Sequence, residues 1–415
     1  MPGLFVPQGE LETLGIGKET TFGTLATPTI WHCFKSFQPK TTVDAIARAP
    51  RASIAQPAPG TGGRSVSMTL DVEPDPDTFP QLLAYTLGSQ TGPATTLYSS
   101  TLNGAVTAGN TSITVASSLF CYTGESISIG GTTPETVVIS QVNGANIKLK
   151  TALANNHANN ATVTATGGTG GGGGGGKLIT MTMGSPLPSF SLEVARPGAT
   201  STDYLGSCVD QLTLSCAAKQ GLQAKFSLLA QNDVTQGSPT TAALSVLNPY
   251  IFEQQFTFAQ MGGEVLGGGT AASLLSFQLT INNNLNKNYW TFGSGNIVRS
   301  FPEQQRKVSG TVTLGFESST QLTNFNSAQS GGNNTLYSMI IPLVATDLTS
   351  VTNPMAMGIY MPKIFLQTMD IQDDTSKALQ VTYSFSCGES DVANEATGPN
   401  DNITIYSINS ASAQY

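Results

Sequence analysis

The 415 residues carry a formal net charge of −8, and Asp, Glu, Lys and Arg make up only 11% of them, against about 25% in an average globular protein. The longest cluster of cations is the pair Arg306-Lys307, which excludes a tight phosphate-binding groove, because each neutralised phosphate needs its own cation. Hydrophobic residues at 39% suffice for a sizeable core and exclude disorder throughout, while Gly, Ser, Thr, Asn and Gln in place of charge suit strands that pack against copies of the same chain.

The opening MPGLFVPQGELETLG has neither a basic segment nor an apolar one of signal-peptide type, and no run of about 18 apolar residues occurs. An unexported, soluble chain without a membrane-spanning segment is expected. Five cysteines, Cys33, Cys121, Cys208, Cys216 and Cys387, are odd in number, and buried free thiols in a reducing compartment are the expectation. Residues 1–63 are short of regular pattern and rich in Pro, Gly and Thr. They read as an extended arm lying against something else, with Phe22, Ile30, Trp31 and Phe34 as its apolar contacts, or as an irregular edge of the same domain.

Val66, Met68, Leu70 and Val72 alternate with Ser65, Ser67, Thr69 and Asp71, the period of a half-buried strand. A short helix is predicted next, with Asp77 as N-cap, Pro80 in the first turn, and Phe79, Leu82, Leu83 and Leu87 at helical spacing before Gly88. Residues 95–166 read as an inserted β module, with short strands separated by turn signals such as Gly130-Gly131 and Asn143-Gly144. Residues 167–177 read as a glycine linker from which the module hangs outside the main domain. The domain plan is therefore 1–94, an arm and the first part of a β-sandwich; 95–166, the insert; 167–177, the linker; and 178–415, the rest of the sandwich.

The cleanest alternation lies in DYLGSCVDQLTLSCAAKQGLQAKFSLLAQ, Asp203 to Gln231. Cys208, Asp210, Leu212, Leu214 and Cys216 are expected on one face, and Leu222, Ala224, Phe226, Leu228 and Ala230 on the apolar face of the second strand. Gln211, Thr213, Ser215, Gln223, Lys225 and Ser227 form the wet face. The same pattern recurs over Leu275–Ile281, Val308–Phe316 and Leu379–Cys387, with shorter candidates at Ile251–Phe258, Met339–Ala345, Ile359–Met369 and Ile403–Ile408. A weaker helix is expected over Ser319–Gln329. The fold class is all-β: an antiparallel sandwich or barrel with one or two short flanking helices and a small inserted β domain.

The residues that carry chemistry are sparse. His32 and His157 are the two histidines, neither with a zinc-type spacing partner, so no metal site and no histidine-based catalysis is expected. Gly171, Gly176 and Lys177 match a phosphate-loop spacing, but Leu178 stands where Ser or Thr would hold magnesium, so linker is the reading. Asp370, Asp373 and Asp374 are the residues of a loose calcium site or of a solvated turn, and the turn is favoured. Glu253, Glu264 and Glu303 are the candidates for a glycan-cleaving carboxylate pair, unplaced relative to one another. No catalytic, cofactor or metal residue is assigned, and no cofactor is expected.

Several stretches resemble the tail tube proteins of tailed bacteriophages in their order: GIGKETTFGTLATPT (Gly15 to Thr29), RSVSMTLDVEPDPDTFPQLLAYTLG, the Asp203 to Gln231 hairpin, RKVSGTVTLGFESS (Arg306 to Ser319), and Met361-Pro362-Lys363-Ile364 followed by Leu379 to Cys387. The insert is similar to small β modules of phage structural proteins. The resemblance implies a virion tail protein assembled in the host cytoplasm. It implies hexameric rings stacked into a tube, a continuous inner β-barrel, and double-stranded DNA passing through the lumen without specific binding. The implied partners are further copies of the chain and other tail proteins such as a tape measure and a terminator, with the module outside. Polar faces such as Ser309, Thr311 and Thr313 suit a wet channel, and the acidic total charge is expected to disfavour DNA adhesion along it. The alternative reading is a phage or bacterial surface adhesin whose module binds a receptor or glycan.

Overall fold

The computed structural model of the chain describes residues 12–46, 59–166, 176–196, 201–218, 220–236, 239–240, 252–253, 259–261, 264–266, 272–291, 296–316, 337–345, 355–372, 379–388 and 402–409. The chain begins with β1 (Thr13–Lys18), β2 (Ile30–His32), β3 (Ser36–Ile46), β4 (Gly60–Val72), helix α1 (Phe79–Leu87) and β5 (Gly88–Ala94). The insert supplies β6 (Thr96–Thr101), β7 (Ser112–Thr114), β8 (Ser126–Ile129), β9 (Glu135–Asn143), β10 (Asn146–Leu149) and β11 (Thr162–Thr166). There follow β12 (Lys177–Met183), β13 (Phe190–Ala195), β14 (Ser201–Ala217), β15 (Gln223–Ala230), β16 (Asn232–Gln236) and the short β17 (Phe252–Glu253), β18 (Ala259–Met261) and β19 (Glu264–Leu266). The chain closes with β20 (Ala272–Asn282), β21 (Lys307–Phe316), β22 (Tyr337–Ala345), β23 (Met355–Gln372), β24 (Gln380–Cys387) and β25 (Thr404–Asn409).

One layer is an antiparallel sheet in the order β3-β4-β15-β14-β20-β21-β24-β23. Its period-2 sequences put Leu70, Phe226, Leu212, Leu214, Leu279, Val312 and Tyr383 into one shared core and hydroxyls and amides on the far face. The strands β14 and β23 are long enough to belong to two layers. The first half of β14 leaves this sheet to pair with β13 and β16, and the first half of β23 leaves it to pair with β22 and β25. These halves, with β1 on β13 and β12 and β5 beside β25, form the second layer over the same core.

The β14 alternation holds from Leu212 to Cys216, but a bulge between Val209 and Gln211 changes its phase. The extra residue flips what precedes it: Val209 enters the main core, and Cys208 turns to the other side with Leu229 and Leu285. The helix spans Phe79–Leu87, but its N-cap is Thr78, not Asp77. Asp75 does the work expected of Asp77, its Oδ1 accepting the N–H groups of Asp77 and Thr78 at 2.8 and 3.1 Å. Gly88 ends the helix at φ 93°, the left-handed conformation that favours glycine. The second helix expected over 319–329 lies outside the described residues.

Residues 12–46 and 59–63, the described part of the N-terminal segment, are less irregular than its composition predicts. Leu14 and Ile16 of β1 are fully buried in the main core, in register with Val194 and Leu192 of β13. The sequence shows no alternation here because Gly15 and Gly17 hold the positions between them. Pro28 and Trp31 lie over Gly15, and the backbone of Ala26-Thr27 over Gly17, so close that no Cβ fits at either. Beyond Phe37, β3 is exposed, while Arg64 of its partner β4 pairs with Asp233 and Trp290 lies over Gly63.

The insert forms a separate six-stranded sheet in the order β6-β11-β8-β9-β10-β7. It does not hang free. Its core continues into Val344, Ala356, Tyr360, Tyr406 and Ile408, the faces of β22, β23 and β25 turned away from the main core. Phe120 meets Tyr406 edge-on at 4.1 Å, and a Cβ on Gly358 would fall inside the Tyr406 ring. Strands buried on both faces explain the nearly unbroken apolar runs MIIPLVA and MAMGIYM. Of the linker, residues 167–175 lie outside the described residues. No two cysteines are bonded; Cys121, Cys208 and Cys216 are buried, Cys387 is half-buried, and Cys33, expected inside, is exposed.

Candidate functional site: a polar sheet face with two open edges

The far face of the eight-stranded sheet is built from the alternate residues that the core rejects. Register aligns them in rows. One row runs Ser36, Asp71, Lys225, Thr213, Thr280, Ser309, Ser386 from β3 to β24. The next runs Gln223, Ser215, Gln278, Thr311, Ser384, Thr368 from β15 to β23. Hydroxyls bridge the strands: Thr213 to Thr280 at 3.5 Å, Thr313 to Thr382 at 3.1 Å, and Thr368 to Ser384.

The charges on the described part of this face are Lys40, Lys225 and Lys307 against Asp44, Asp71 and Asp370, and Lys225 stands 4.0 Å from Asp71. The acidic excess of the chain is therefore carried elsewhere. The face is neutral although the chain as a whole is acidic, because β-strand alternation sorts side chains by face and net charge does not.

Two edges of the sheet are open among the described residues. At one end β3 pairs only with β4, and at the other the second half of β23, Phe365 to Gln372, pairs only with β24. Val43 and Ile371, 53% and 40% exposed, stand at these two edges on the side away from the polar face. An exposed strand edge with apolar side chains invites pairing with another chain.

The Gly-Lys-Glu-Thr-Thr-Phe-Gly-Thr stretch ties the N-terminal segment to the body through Glu19. Its buried carboxylate accepts the Ser191 and Ser189 hydroxyls at 2.8 Å each, the Gly206 N–H at 2.8 Å and the Gly23 N–H at 2.9 Å. Phe22 packs edge-on against Phe301, at 5.9 Å, over Cys208, Leu229 and Leu285. Arg306 is equally structural: its guanidinium donates to the Thr86 and Leu87 carbonyls at the end of α1 and to Asn283 Oδ1.

The chemistry-bearing residues do not converge. His32 is buried against Gln81 Oε1 at 2.9 Å, and desolvation lowers its pKa to about 4. His157 lies in the insert, between the Gly130 carbonyl at 2.9 Å and Glu135 at 2.7 Å. Glu303 accepts the Leu187 N–H and lies 4.0 Å from Arg306, while Glu253 and Glu264 sit in β17 and β19. Lys177 opens β12, opposite Asn409. Asp370 belongs to β23 opposite Thr382, not to a turn, and residues 373–374 lie outside the described residues. No group of three or more His, Cys, Asp or Glu able to hold a metal occurs among the described residues, and no described helix is long and apolar enough to cross a membrane.

A family model described as phage tail tube protein matches residues 9–387. No curated protein matches the chain. The match spans the polar sheet, the insert and all of the second layer but β25, and with it the chain belongs to the phage tail tube protein family, a virion tail component that assembles into a tube.

Proposed function

We propose that the chain is the wall subunit of a six-fold tail tube. The polar sheet face lines the lumen, neighbouring copies join edge to edge into a continuous barrel, rings stack, and double-stranded DNA passes during ejection. The observation that carries this reading is the neutral hydroxyl and amide face bounded by two open edges. Such a wall offers water-like hydrogen bonding and few cations, so a polyanion finds little to hold it. The insert packs on the faces of β22, β23 and β25 turned away from the main core, which supports an exterior position for it in the tube. Tape-measure and terminator proteins are the expected partners at the lumen and the tube end. Negative-stain electron microscopy of the purified protein tests this: rings or tubes of six-fold appearance are expected. A monodisperse monomer at every salt and protein concentration overturns it.

A further inference from the structure

The eight strands of the polar sheet are two copies of one four-strand unit. β3, β4, β15 and β14 are joined in that order, and β20, β21, β24 and β23 repeat it. The second layer repeats as well: β13 and β16 flank the first half of β14 as β22 and β25 flank the first half of β23. β1 with β2 on β13 corresponds to β18 with β19 on β22. Both long strands carry a bulge at the same place, Val209/Gln211 and Leu366/Thr368.

The sequences agree once the strands are superposed. Ser36-Phe37-Gln38 matches Ser276-Phe277-Gln278, Arg64-Ser65-Val66-Ser67-Met68-Thr69 matches Arg306-Lys307-Val308-Ser309-Gly310-Thr311, and Leu222-Gln223 and Ser227 match Leu379-Gln380 and Ser384. Register matches too: the row Gln38, Thr69, Ser227 in one unit is Gln278, Thr311, Ser384 in the other.

The chain therefore contains its own template for joining units. Within it, β14 of the first unit pairs with β20 of the second, and Thr213 faces Thr280. The open edges are the equivalents of these strands, β23 and β3. We propose that β23 of one copy pairs with β3 of the next in the β14–β20 register, so that three chains, not six, close a ring of six units. This rests on the tail tube reading. The register carries Thr213 onto Asp370 and Thr280 onto Lys40, which places an aspartate opposite a lysine across the joint. Both side chains are exposed, and neither has an ionic partner among the described residues. Three chains give a 24-stranded barrel roughly 35–50 Å across depending on strand tilt, against roughly 70–95 Å for six chains; the narrower bore suits a single duplex with its hydration.

The test is the mass and symmetry of the assembly with its charge variants. Mass photometry of wild-type rings is expected at roughly three times the 43.1 kDa chain, with cryo-electron microscopy showing three identical modules outside each ring. Asp370→Lys and Lys40→Asp each should reduce assembly at least tenfold, and the double variant should restore it. Circular dichroism identical to wild type shows that the single variants fold. Rings of six chains, or a double variant no better than the singles, overturn the proposal while leaving the tube reading intact. A wild type that forms no rings or tubes defeats the tube reading itself.

Discussion

Replacing Glu125 with Gln should stabilise the protein, and by an amount that depends on pH. Glu125 is 1% exposed inside the insert, near Tyr98, Cys121 and Tyr406. Its Oε2 accepts the Tyr122 N–H at 3.2 Å, and its Oε1 has no hydrogen-bond partner among the described residues. Burial raises its pKa from 4.5 to about 8, against the weaker opposing effect of the Tyr122 hydrogen bond. A carboxyl with a raised folded-state pKa contributes stability that is complete below its unfolded value and lost as pH rises through the folded value. At about 1.36 kcal/mol per unit, the loss is about 3 kcal/mol at pH 7 and approaches about 5 kcal/mol above pH 8. Glutamine, nearly isosteric with the protonated acid, is free of this loss. Urea unfolding of wild type and Glu125→Gln at pH 4, 7 and 8.5 should give curves that nearly coincide at pH 4 and separate progressively above it. A separation that does not vary with pH refutes the reasoning, because it means that the carboxyl titrates in the folded protein as it does in the unfolded chain.

His32 works in the opposite direction. Its folded pKa of about 4 lies below the ordinary 6.5, so stability is lost as pH falls from 6.5 towards 4, by about 3 kcal/mol. His32→Gln should lower the midpoint of acid unfolding followed by circular dichroism; an unchanged midpoint contradicts a neutral buried imidazole. Tyr406→Ala removes the ring that Phe120 and Gly358 enclose and should cost about 3–5 kcal/mol, seen as a lower melting temperature and faster proteolysis within 95–166. Equal protease resistance would mean that the insert does not depend on that contact. Glu19→Ala strands the hydroxyls and N–H groups that converge on it and should cost about 3 kcal/mol, measured by urea denaturation. Glu19→Gln, which keeps acceptor capacity on one oxygen, should recover part of that loss.

Docking of the insert changes what its removal means. Deleting residues 97–176 uncovers Val344, Tyr360, Tyr406 and Ile408 on strands buried on both faces, so loss of solubility is expected even where ring contacts are untouched. A loss of assembly in that deletion therefore needs a folding control before it is assigned to the insert.

The amino-acid sequence by itself determined the all-β class, the phase of β4, β15, β21 and β24 and of β20 from Phe277 onward, and the place and C-terminal end of α1. Each of these depends on local periodicity or on which side chains exist at all. Only the tertiary structure decided the rest. A bulge after Leu274 puts that residue, not the expected Leu275, against the core. β1 is invisible to periodicity because glycine stands where alternation would show a polar residue, and a bulge reverses the β14 pattern within one residue. The insert reads as a pendant module because nothing local indicates that Tyr406, nearly 300 residues after Phe120, is its partner. The duplication hides for the same reason. Its short matches are separated by loops and an insertion of unequal length, and strand pairing alone aligns them, because backbone hydrogen bonds join positions that sequence separation keeps apart.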